Sequence, residues 1–89
     1  MKTFYKDPDA ILDYQIDWSD WLASSETIST STWTVASGIT EDSDAKTDTT
    51  TKIWLSGGTA NTKYKITNRI VTNQSRTDDR SFYVYVLEK

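Results

Sequence analysis

Eighty-nine residues with ten Lys or Arg, thirteen Asp or Glu, and neither His nor Cys make a small chain of net charge −3. Without cysteine there is no disulfide framework, no thiolate nucleophile and no Cys-held zinc. Without histidine the commonest general base and metal ligand are missing, so His-dependent triads, zinc hydrolases and the usual haem proteins are excluded. The expectation is one domain over residues 1–89, with no catalytic residues, no cofactor and no metal. A chain this short buries only roughly 60–65% of its unfolded surface, so its core must be efficient.

The charge is unevenly spread. Residues 1–48 carry ten acids and three bases, and residues 49–89 carry three acids and seven bases. Two readings stay open: charges that decorate solvated strands, or a dipolar module suited to head-to-tail contacts or to partners of opposite sign. The acidic balance argues against nucleic acid. No apolar run approaches the ~18 residues of a membrane span, and Met1 to Pro8 has no apolar stretch like that of a signal peptide. A soluble protein made in the cytoplasm is expected. Fifteen Thr, seven Ile, four Trp and five Tyr fit a pleated surface, whereas strong helix formers are scarce.

In chain order, residues 1–9 read as an N-terminal arm that ends in the turn Lys6-Asp7-Pro8-Asp9. Ile11 to Trp18 is the first strand, with Leu12, Tyr14, Ile16 and Trp18 on one face. Ser19 to Leu22 reads as a single helical turn capped by Asp17 or Ser19. A second strand spans about Thr27 to Val35. Ile28 and the pair Trp33/Val35 have opposite parity, which implies a bulge or two short strands. Ala36-Ser37-Gly38 is a break, and Ile39 begins a brief strand.

Glu41 to Asp48 reads as an acidic loop. Thr49 to Leu55 is a strand with Thr51, Ile53 and Leu55 on one face and Lys52 and Trp54 on the other. After the turn Ser56-Gly57-Gly58-Thr59 comes the longest strand, Thr62 to Thr72, with Tyr64, Ile66, Asn68 and Ile70 on one face. Asn73 to Asp79 is a polar hairpin loop. The last strand, Arg80 to Leu87, sets Phe82, Val84 and Val86 against Tyr83, Tyr85 and Leu87. The pattern predicts an all-β, immunoglobulin-like β-sandwich of six to seven strands. Gly58-Thr59 followed by Tyr64 resembles the tyrosine corner of such domains.

Candidate chemistry thins out on inspection. Counted from Asp42, the segment Asp42–Asp48 and its continuation place Lys46 fifth, Thr47 sixth and Ile53 twelfth. A calcium loop would need a ligand, a glycine and a bidentate Glu there. Asp17 and Asp20 beside Trp18 and Trp21 read as caps of a turn rather than as a glycosidase pair. Parity singles out Trp54, Tyr83, Tyr85 and Leu87 as the face opposite the aliphatic sets, and so as the expected partner-binding residues. A terminal strand is also expected to offer a free sheet edge.

Several blocks span nearly the whole chain: Lys6-Asp7-Pro8-Asp9, Ile16-Asp17-Trp18-Ser19-Asp20-Trp21-Leu22, Ile53-Trp54-Leu55-Ser56-Gly57-Gly58-Thr59 and Arg76-Thr77-Asp78-Asp79-Arg80-Ser81. In these the chain resembles a group of small proteins of tailed phages and prophages described as fibre-tail adaptor proteins. The resemblance implies a non-enzymatic, immunoglobulin-like virion component with other tail proteins as partners. It would reside in the tail after assembly in the host cytoplasm, and self-association stays open. The competing expectation is a carbohydrate- or host-surface-binding module that uses Trp54 and the tyrosine pair as a platform.

Overall fold

A computed structural model describes residues 2–87. Seven strands run in chain order: β1 Thr3–Lys6, β2 Leu12–Asp17, β3 Ile28–Val35, β4 Ile39–Lys46, β5 Thr50–Gly57, β6 Thr62–Thr72 and β7 Thr77–Val86. They form a four-stranded sheet ordered β1-β7-β6-β3 and a three-stranded sheet ordered β2-β5-β4. The all-β sandwich expectation holds, and no helix occurs among the described residues. Hairpins β4–β5 and β6–β7 stay within one sheet, whereas the chain changes sheet between β1 and β2, β2 and β3, β3 and β4, and β5 and β6. The edges of β3 and β4 lie along one side of the sandwich.

Alternation decides which side chains fill the space between the sheets. Tyr64, Ile66 and Ile70 of β6, Phe82, Val84 and Val86 of β7, and Ile53 and Leu55 of β5 are all buried. Each set comes from one parity of its strand. All of these residues but Ile70 form the main cluster with Tyr14 and Ile39, and Phe4 and Trp33 pack against it. A second cluster of Trp18, Ile28 and Ile70 closes one end. Rings meet edge-on or tilted, with Phe4–Phe82 at 5.3 Å and 90° and Phe4–Tyr14 at 5.1 Å and 52°, the offset geometries that aromatic quadrupoles favour.

The opposed parities in the second strand resolve as a bulge, because the β3–β6 register shifts between Ile28 and Thr30. The extra residue turns Ile28, Ser31, Trp33 and Val35 toward β6's inward positions. At the corner before β6, the Tyr64 hydroxyl accepts the Thr59 N–H at 2.8 Å. Its ring is held between two glycines. A Cβ on Gly38 would lie 3.0 Å from Tyr64 Cε1, and one on Gly58 would lie 3.4 Å from Cε2 and 2.7 Å from Val86 Cγ2.

Three expectations change. The N-terminal arm holds β1, which pairs in parallel with β7 from Thr3–Tyr83 to Lys6–Val86. The polar hairpin loop shortens to residues 73–76, since β7 already begins at Thr77. The acidic loop is mostly strand, because Ile39 to Lys46 pairs with β5 across a register shift between Glu41 and Ser43. An edge strand gains from charge, which discourages pairing with other chains. Here Glu41, Asp44 and Lys46 stand opposite the inward residues Leu55, Ile53 and Thr51.

Candidate functional site

Across a ladder, directly opposed residues share a face, so register assigns the surface. Tyr83 and Tyr85 pair with Lys65 and Lys63 on β6 and with Thr3 and Tyr5 on β1. All of these point away from the core, on the outer face of the four-stranded sheet. Tyr5 is 59% exposed, with its ring 6.1 Å from that of Tyr85. Lys63 Nζ lies 4.7 Å from the Tyr83 ring centre, a cation–π arrangement. Tyr83, Tyr85 and Leu87 are half-buried.

Trp54 is elsewhere. It sits on β5, the central strand of the three-stranded sheet, between Asp13 of β2 and Ser43 of β4. It faces outward and is 38% exposed. The structure therefore brings Tyr83 and Tyr85 together and puts Trp54 on the opposite broad face. β7 is not a sheet edge either, because β1 and β6 flank it. The terminal edge expected from sequence is covered by a strand from the other end of the chain. Tyr5 was missed, although Phe4 and Lys6 alternate with Thr3 and Tyr5 and carry the signal.

The end of the sandwich near the β6–β7 turn is held by ions. Glu26, whose side chain is buried, accepts bonds from Arg76 Nε at 2.9 Å, Thr72 Oγ1 at 2.6 Å and the Ala23 N–H at 2.9 Å. Arg76 and then Thr72 hold its carboxyl down at about 2. The Arg76 guanidinium also lies 4.1 Å over the Trp21 ring. Arg80 lies 4.4 Å over Trp18 and bonds the Asp17 carbonyl at 3.0 Å and the Asp20 carboxylate at 3.1 Å. Asp17 Oδ1 accepts the Ser19 N–H at 2.9 Å. Both aspartates thus fix a turn.

Inside, Asn68 is the hub of a polar network. Its Oδ1 accepts Trp18 Nε1 at 3.1 Å and Thr51 Oγ1 at 2.7 Å, and its Nδ2 donates to Ser31 Oγ at 2.9 Å and the Thr32 carbonyl at 3.2 Å. Lys6 is fully buried, and its ammonium donates to the Gly57 carbonyl at 2.7 Å and the Asp7 carbonyl at 2.9 Å. Burial pulls its pKa down, against the nearby Asp7, Asp9 and Asp42.

No group of three or more metal-ligating side chains occurs among the described residues. A cleft of about 410 Å³ between β1, β2 and β7 is lined by Phe4, Ile16, Phe82 and Arg80, with Asp17 as its one lining carboxylate. The Ser19 N–H lowers the pKa of that carboxylate, and among the described residues lining the cleft there is no second acid.

What the geometry offers is surface: two broad sheet faces, each with exposed aromatic rings, on a rigid sandwich. The chain belongs to the family described as podophage GP4 fiber-tail adaptor protein gp77, whose profile matches residues 6–85. That is a family of structural tail components and not an enzyme class. Among curated proteins, none matches the chain.

Proposed function

We propose that this protein is a non-catalytic adaptor of a phage or prophage tail, with a sandwich of the immunoglobulin kind that serves as a rigid spacer between tail and fibre proteins. The family match over residues 6–85 carries the reading. The sheet orders and the Tyr64–Thr59 bond favour the immunoglobulin kind, in which such a corner recurs. The outer face with Tyr5, Tyr83, Tyr85 and Leu87 is the proposed partner surface, and Trp54 marks a second contact on the reverse face. Tyr and Trp supply large contact area at low entropy cost, as a permanent joint needs.

Cross-linking followed by mass spectrometry on purified virions tests the role. The expected result is cross-links from Lys63 and Lys65 to a tail or fibre protein. Absence of the chain from virions would overturn it. Titration of labelled protein with soluble oligosaccharides separates the sugar-binding alternative, which requires local shifts at Trp54.

A further inference from the structure

Charge is also unequal between the two faces of the sandwich, although each sheet draws strands from both halves of the sequence. On the outer face of the four-stranded sheet, Arg69 is paired with Asp79 at 2.8 Å. Lys63 and Lys65 stand opposite Tyr85 and Tyr83 rather than opposite carboxylates. On the outer face of the three-stranded sheet, Lys52 lies 3.9 Å from Asp13. Asp17 stands opposite Thr50, and Asp42, at the β4 bulge, accepts the Ser56 hydroxyl at 2.8 Å. One face is left basic around tyrosines, and the other acidic around Trp54.

We infer that these faces fit each other between molecules: the basic tyrosine face of one copy docks on the acidic tryptophan face of a second copy of this chain. The complementarity is internal to one sequence. Like faces would oppose like charges, so the contact is head-to-tail rather than two-fold symmetric. Cα extents of 43 × 22 × 19 Å give each broad face an area near the ~800 Å² per partner of a standard interface. A short stack leaves one face of each kind free at its ends, where the tail and fibre proteins of the proposed function would attach. The inference borrows only those surfaces from that reading.

Sedimentation velocity on the full chain tests it, from about 1 μM to about 1 mM protein, in about 20 mM and about 0.5 M salt. The wild type should associate with rising concentration at low salt and fall apart at high salt. Lys63→Ser/Lys65→Ser and Asp13→Asn/Asp42→Asn should each weaken association about tenfold or more. All four positions are solvent-facing, and an unchanged near-ultraviolet circular dichroism spectrum verifies folding. Mixed one to one, the two variants should recover wild-type affinity yet stop at pairs, since each keeps one competent face. A wild type that stays monomeric at low salt, a variant that associates as tightly as wild type, or a mixture that fails to pair overturns the inference. Virion cross-linking judges the adaptor role separately.

Discussion

Asn68 and Tyr14 are both buried polar residues of the core, and they differ in what their polar atoms meet. Four hydrogen bonds converge on the Asn68 amide, so Asn68→Ala strands the Thr51 hydroxyl proton in a dry interior and leaves Trp18 Nε1 only its 3.2 Å bond to Thr51 Oγ1. A loss of about 2–4 kcal/mol is expected in urea unfolding. The Tyr14 hydroxyl is buried and has no hydrogen-bond partner among the described residues, while its ring packs 5.1 Å from Phe4 and 5.6 Å from Phe82. Tyr14→Phe keeps the ring and deletes the unpaired group. It should leave stability unchanged or raise it by up to about 1 kcal/mol. A destabilised Tyr14→Phe would show that the hydroxyl is bonded in solution.

At the scale of elements, two carboxylates set opposite pH limbs. Glu26 is held at about 2 against an ordinary 4.5, so its contribution is present above pH 4.5 and fades as pH falls toward 2. Glu41, on edge strand β4, is raised to about 7 by sharing a hydrogen bond with Asp44 and by burial. Its contribution is full below pH 4.5 and is lost as pH rises through 7. Denaturant midpoints measured from pH 2 to pH 8 should show both limbs, with Glu41→Gln flattening the upper and Glu26→Gln the lower. Between β5 and β6, Gly58 has φ +96° and a would-be Cβ 2.7 Å from Val86 Cγ2. Gly58→Ala should cost about 1–3 kcal/mol by thermal unfolding.

The elements also show what a sequence can reveal. β6 was legible to its ends because Tyr64, Ile66, Asn68 and Ile70 alternate with polar residues over the full strand. β1 was not, because its inward end is Lys6, and the Gly57 carbonyl that satisfies it lies 51 residues away. β4 reads as a loop because the charges that suit a sheet edge are also those of a solvated turn. For the surface, parity placed Tyr83 and Tyr85 outward. Parity is local, however, and cannot say which sheet a strand joins, so Trp54 was grouped with a face it does not share.

For the whole molecule, labour is divided across one strand: β7 sends Phe82, Val84 and Val86 into the core and Tyr83 and Tyr85 onto the outer face, the proposed partner surface. The direct test is a pair of measurements on Tyr85→Ser, its thermal midpoint and its affinity for the tail or fibre protein found cross-linked to the wild type. Tyr85 is half-buried beside Tyr5 and outside the core. The midpoint should therefore stay within a few degrees of wild type, since surface changes of this kind cost at most about 0.5–1 kcal/mol. Binding should weaken by about tenfold or more, as loss of an aromatic anchor does. A collapsed midpoint with undiminished binding would contradict the account, placing Tyr85 in the core and the partner surface elsewhere.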